Sequence, residues 1–182
     1  MTGRYNQAMF RVPTLLITGV DSAAKGFFLR KLIAARPPQV RWALLDNDGG
    51  DVAREFATAQ ITVSTAGGCA CCSGQVALQT GIVRLLRESN PQRLVIVAAA
   101  AAEPAALART LQQQQLAHAL SIESHVCIIA PDKLAAAEPL ARSLWQRQMA
   151  TADQVLAPDS VITPALIGAM PVSSASSLRI VS

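Results

Sequence analysis

Short, almost wholly apolar runs separated by amphipathic stretches constrain this chain more than any other feature. Thr14–Thr18, Leu94–Ala98 and His125–Ala130 are apolar at successive positions, not at alternate ones. Strands of that kind are buried on both faces, which occurs where helices cover a parallel sheet from above and below. Helical patterns lie between them. Ala23–Ala35 carries Phe27, Phe28, Leu32 and Ile33 and is stopped by Pro37-Pro38. Gln75–Glu88 places Val76, Gln79, Ile82, Val83 and Leu86 near one face. Glu103-Pro104 opens a helix that carries Leu107 and Leu111, with proline at an early helical position. Ala141–Thr151 is a further helix, and Arg41–Asp46, Gln60–Ser64 and Gln154–Leu156 are further strands. Ser173–Ser177 reads as a loop and Leu178–Val181 as a terminal strand. The alternation predicts a three-layer α/β domain with a mostly parallel central sheet, one domain over residues 1–182.

Such sheets bind ligands at the carboxyl ends of their strands. Three unusual loops are expected on that edge. Gly19-Val-Asp-Ser-Ala-Ala-Lys25-Gly26 follows the first strand, Asp46-Asn-Asp-Gly-Gly-Asp51 the second, and Gly67-Gly-Cys-Ala-Cys-Cys-Ser-Gly74 the third.

The first has the outline of a phosphate-binding loop, G-x-x-x-x-G-K-[ST]. In a working loop, backbone N–H groups cradle phosphates, Lys pairs with the β- and γ-phosphates, and the final hydroxyl ligates Mg²⁺. Gly19, Ser22, Ala24, Lys25 and Gly26 are the candidate nucleotide-binding residues. Ala24 adds a methyl where backbone and phosphate must meet closely, and Gly26 supplies no hydroxyl. Asp21 brings a carboxylate into a loop that serves anions. The segment is either a nucleotide loop that is now weak or dead, or a strand-to-helix turn with an incidental lysine. The fold it implies is P-loop NTPase-like.

Cys69, Cys71 and Cys72 fall within four positions. Thiolates so close on a glycine-softened loop can converge on a soft ion such as Zn²⁺ or Cu(I). A tetrahedral Zn²⁺ takes four ligands and this loop offers at most three, so a fourth must come from elsewhere. Asp46, Asp48 and Asp51 are candidates, or they are turn residues of an Asx-Gly loop. The cysteines in turn form a transfer site, a buried loop without metal, or a redox sensor. Cys127 lies in an apolar strand and reads as core. His118 and His125 lack ligand spacing, and Trp42 and Trp145 read as packing residues.

Composition narrows the function classes. The net charge is +4 and the basic residues are scattered, with Arg30, Lys31 and Arg36 expected on one solvated helix face, so nucleic-acid binding is not expected. No run of 18 apolar residues exists, so no membrane span is expected. The first residues lack the apolar run of a secretory signal, and a cytoplasmic protein is expected. Thiols there stay reduced, which favours metal or redox chemistry over disulfides.

The order of these motifs resembles the CobW family of metallochaperone GTPases, over most of the chain. The family's loop G-F-L-G-A-G-K-T-T is similar to Gly19–Phe27, and its E-N-E-F-G-E segment to Asp46–Asp51. Its signature G-G-C-x-C-C is fully matched by Gly67–Cys72. Its Walker B region, I-E-T-x-G-x-A-D-P, resembles Ile96–Pro104, and its Q-x-x-x-A-D-x-I-L resembles Gln148–Leu156. The resemblance implies Zn²⁺ or a similar ion at the cysteine motif and GTP with Mg²⁺ at the loop. It also implies a second, C-terminal domain that this chain does not reach. The departures cluster at nucleotide chemistry. The Walker B glutamate falls at Val97, the glycine that meets the γ-phosphate at Ala100, and the guanine-reading N-K-x-D at Ala157-Pro-Asp-Ser160. Phosphoryl transfer depends on positioned charge, so these losses with Gly26 predict a domain with no catalytic residue, binding nucleotide poorly or not at all. The expected function is non-hydrolytic metal binding through Cys69, Cys71 and Cys72, with a metal-client protein or an intact homologue as partner. Two other readings stay open: an unconventional nucleotide hydrolase that recruits Asp21, Asp46 or Asp48 for its metal, and a pure interaction subunit.

Overall fold

The computed structural model describes residues 11–48, 53–58, 61–65, 72–163 and 166–167, with the backbone alone at 53–54 and 72–75. Its elements are β1 (Val12–Thr18), α1 (Ser22–Ala35), β2 (Trp42–Asp46), β3 (Ile61–Thr65), α2 (Cys72–Ser89), β4 (Arg93–Val97), α3 (Pro104–Leu111), α4 (Gln114–Ala117), β5 (Leu120–Ile128), α5 (Pro131–Ala135), α6 (Pro139–Thr151) and β6 (Gln154–Leu156). A single 3₁₀ turn, Ala53–Phe56, precedes β3.

The six strands form one sheet in the order β3-β2-β4-β1-β5-β6. Every pairing is parallel, so the expected architecture is the one observed. Period-two alternation splits the strand side chains between two cores. Leu15, Ile17, Leu44, Val95, Val97, Val126 and Ile128 pack with Phe28 and Leu32 of α1 on one face. Leu16, Leu45, Leu94, Ile96 and Leu120 pack with Leu78 and Ile82 of α2 and Leu107 and Leu111 of α3 on the other. Trp42, Trp145 and Cys127 are buried, as their surroundings in the sequence implied. Among the described residues no helix is long and apolar enough to cross a membrane.

The largest departures from expectation are two element starts and a short helix, while β2, β3 and α6 differ by one or two residues at their ends. β5 begins at Leu120, not His125, because its first half alternates polar and apolar residues where an unbroken apolar run was sought. Its register against β1 steps from Thr14↔Ile122 to Leu15↔Ser124, which leaves Glu123 unpaired as a bulge. α2 begins at Cys72, so Cys72, Ser73 and Gly74 are helical and not loop. α5 was not anticipated; five residues are too few to show a period, and Pro131 at its start was the only signal. The basic face of α1 is not simply solvated: Arg30 pairs with Glu55, and Lys31 donates to the Asp159 and Ser160 carbonyls at 2.6 and 2.8 Å. The predicted loop and strand over 173–181 lie outside the described residues.

Strands leave β1 and β4 toward opposite edges, so their carboxyl ends flank the point where the strand order reverses. That is where an open α/β sheet leaves a crevice.

Candidate functional site

The turn out of β1 is set by Gly19. Its φ of +142° is one that side-chain-bearing residues rarely adopt. A Cβ there would also collide with the Ile128 carbonyl oxygen of the neighbouring strand. The chain then enters α1 at Ser22, earlier than a wide phosphate loop would allow. Asp21 is the N-cap: its Oδ1 accepts from the Ala23 and Ala24 amides at 2.9 and 3.2 Å. Such a carboxylate answers the unpaired N–H groups and the positive end of the helix dipole. Lys133 of α5 pairs with its other oxygen. Burial acts to raise the Asp21 pKa, but Lys133 and the two amides outweigh it and hold the carboxyl below its ordinary value.

Lys25 is buried at 1% exposure in the first turns of α1. Its Nζ donates to the Ala98 carbonyl at 2.7 Å and pairs with Asp48 Oδ2 at 2.9 Å. Burial pulls the ammonium below the ordinary lysine range, against the opposing pull of Asp48 and Asp46. The second oxygen of Asp48, Oδ1, accepts from the Ala100 N–H at 2.6 Å. Asp46, itself buried, accepts from the Asp48 amide at 2.8 Å. Of the predicted loop residues, Ser22, Lys25 and Gly26 therefore meet the two predicted carboxylates around one cavity at the ends of β2 and β4, while Gly19 and Ala24 do not line it. That cavity is about 190 Å³ and is lined by Ser22, Lys25, Gly26, Asp46, Asp48 and Val97. A larger groove, about 570 Å³, belongs to α2 and Gln115 and shares no residue with it.

Cys69 and Cys71 lie outside the described residues, and Cys72 is placed only by its backbone, as the first residue of α2. Among the described residues no three His, Cys, Asp or Glu side chains group as metal ligands. Gly26 sits buried in α1 with no hydroxyl to offer, and Val97 ends β4 with no carboxylate.

Two features escaped the sequence reading. Thr18, last residue of β1, meets His125 Nε2 at 2.9 Å, and His125 Nδ1 meets the Thr151 carbonyl at 3.0 Å. Burial lowers the His125 pKa despite Thr151 and Asp153, and burial raises that of the adjacent Cys127 thiol. These partners are brought together only by β1–β5 pairing, so spacing along the chain could not show them. Gln148 of α6 is fully buried and donates to the carbonyls of Ala100 and Ala102 at 3.3 and 2.9 Å. The signal for it was present, as the first residue of the Gln148–Leu156 motif. Asp153 in that motif accepts from the His125 amide at 2.7 Å and donates its own amide to the His125 carbonyl, which starts β6 in register on β5.

Residues 13–158 match the family described as CobW/HypB/UreG, nucleotide-binding domain. The chain belongs to this family. Among known proteins it is similar to the zinc chaperone YeiR of Escherichia coli (strain K12), 28% identical over 148 residues, which is 79% of this chain and 45% of that one. Among solved structures it is similar to the Zn(II)-bound YjiA GTPase from E. coli, with a TM-score of 0.56 and 17% identity over 81% of this chain and 49% of that one. At that identity the structural likeness speaks for the fold. The chain spans about half the length of these relatives.

Proposed function

We propose that this CobW-family domain handles zinc as cargo without hydrolysing nucleotide. It would hold the ion through Cys69, Cys71 and Cys72, in a cytoplasmic exchange with a client protein or an intact homologue. Asp46 would be the further oxygen ligand, since both oxygens of the other candidate, Asp48, are engaged by Lys25 and Ala100. One observation carries the non-hydrolytic half: Lys25 is turned onto Asp48 and the Ala98 carbonyl. The residues present do not fit a magnesium-bound triphosphate. The hydroxyl ligand is absent at Gly26 and the acid at Val97. The helix N-terminus is capped by Asp21. The cavity of about 190 Å³ is also smaller than the roughly 300–1,000 Å³ of ordinary ligand pockets.

The metal half is supported by the complete G-G-C-x-C-C match and by two relatives, one a zinc chaperone and the other a GTPase with Zn(II) bound. Cys72 opens a helix, a position where thiols ionise readily. The test is metal content of protein purified under reducing conditions. Zinc near one equivalent in wild type, and its loss in Cys71→Ser/Cys72→Ser, is the expected result. Metal-free wild type removes the proposal.

The unconventional hydrolase keeps one observation in its favour, namely that Lys25, Asp46 and Asp48 converge on one cavity. GTP or ATP with Mg²⁺ is expected to leave the melting temperature unchanged; a rise of several degrees would instead support that reading.

A further inference from the structure

We infer that the anion seat of this domain is intact but occupied by the chain's own Asp48 carboxylate. The donors that would meet a terminal phosphate are still in place. Lys25 is at the position of the phosphate-loop lysine, and the Ala100 N–H is at the position of the γ-phosphate glycine. Both are already bonded, and to the two oxygens of one side chain: Lys25 Nζ to Oδ2 at 2.9 Å, Ala100 N–H to Oδ1 at 2.6 Å. A carboxylate accepts charge-assisted hydrogen bonds of the same length and direction as a phosphate edge does. The donors at the N-terminus of α1 are answered in the same way, by Asp21. Two carboxylates from two loops thus stand where anions would be received.

The arrangement is braced from behind. The Asp48 amide donates to Asp46, the Asn47 amide to the Val97 carbonyl, and Gln148 holds the carbonyls of Ala100 and Ala102. The segment after β4 is therefore tied to the end of β2 and to α6 by these hydrogen bonds. A carboxylate on the same chain competes at an effective concentration of millimolar or above, so a free anion must displace it. The seat is blocked, not dismantled, and removing the carboxylate opens it. The ligand class is a small tetrahedral or linked phosphate, with pyrophosphate as the minimal probe. The inference rests on the reading above that wild type binds nucleotide poorly.

The test is titration of the full chain with pyrophosphate, without added metal, by calorimetry. Wild type is expected to bind weakly. Asp48→Ala, which leaves Lys25 buried without its counter-charge, is expected to bind at least about tenfold more tightly, and Asp48→Ala/Lys25→Met to lose the gain. If Asp48→Ala does not fold, Asp48→Asn keeps the shape and removes the charge. In wild type the Lys25 ammonium resonance in ¹⁵N-lysine spectra should also be insensitive to pyrophosphate. A folded Asp48 variant without gain overturns this inference and leaves the non-nucleotide reading standing. Wild type that binds as tightly as the variant, or whose Lys25 resonance moves, overturns both.

Discussion

Among the described residues two cations are buried, at opposite ends of the same sheet. Lys25 lies at the carboxyl ends of the strands and Arg93 at the start of β4, each 1% exposed. Lys25 has a short ion pair and a carbonyl acceptor, all supplied by residues whose own polar groups are engaged. Arg93 is held more loosely. Its Nη2 donates to the Leu166 carbonyl at 2.8 Å, Nη1 lies 3.5 Å from Glu123, and the guanidinium sits 5.7 Å from the centre of the Trp42 ring. Its Nε and Nη1 have no hydrogen-bond partner among the described residues. Glu123 is on the β5 bulge and keeps a quarter of its side chain in water. The arginine fastens Leu166 to the sheet, a packing role that tolerates slack. The lysine is gripped from two loops, those after β2 and β4, by partners at 2.9 and 2.7 Å.

This contrast ranks the effects of mutation. Lys25→Met should be the most damaging, at about 3–5 kcal/mol, because it leaves the Asp48 carboxylate buried without its counter-charge. Adding Asp48→Asn should return much of that loss, and urea titration of both variants measures it. Arg93→Met should cost less, about 2 kcal/mol, since Glu123 can rehydrate and chiefly the Leu166 carbonyl is stranded. An Arg93 variant weaker than the Lys25 variant breaks the comparison.

Smaller changes sharpen it. Asp21→Ala should cost about 1 kcal/mol through the lost helix cap, read as a fall in thermal midpoint. At low pH the gap between Asp21→Ala and wild type should close. The Asp21 pKa is depressed on folding, so its contribution is present above the unfolded value and is lost as pH falls through the folded one. The smallest effect belongs to His125. Its pKa is lowered on folding from 6.5, so below that pH the unfolded imidazole takes up a proton first, and stability declines. The decline should be absent above pH 6.5 and flattened in His125→Gln, as followed by melting between pH 7 and 5.5.

Much of the fold was legible because it is written in local patterns. The strand ends at Thr18 and Asp46, the helix expected over Ala23–Ala35 and found to start one residue earlier, and the proline start of α3 all follow from short local runs. The residues of the phosphate loop and the acidic loop were also found by pattern. What pattern could not supply was which of them meet. Asp48 read as a turn residue or a metal ligand, and only β2–β4 pairing brings it to Lys25 and Ala100. His125 looked unpartnered because its partners, Thr18 and Thr151, lie 107 and 26 residues away. Glu123 could not be read as a bulge, since a bulge is a property of two strands together.

The strand order has a consequence for how the polypeptide is made. Of the six described strands β1 is made first, yet its neighbours are β4 and β5, whose last residues paired with it are Val97 and Cys127. At roughly 5–20 residues per second the nascent strand waits about 5–20 seconds for its second neighbour. Leu15, Leu16 and Ile17 lack one strand neighbour for that whole interval, an open apolar edge that a nascent-chain chaperone would be expected to shield.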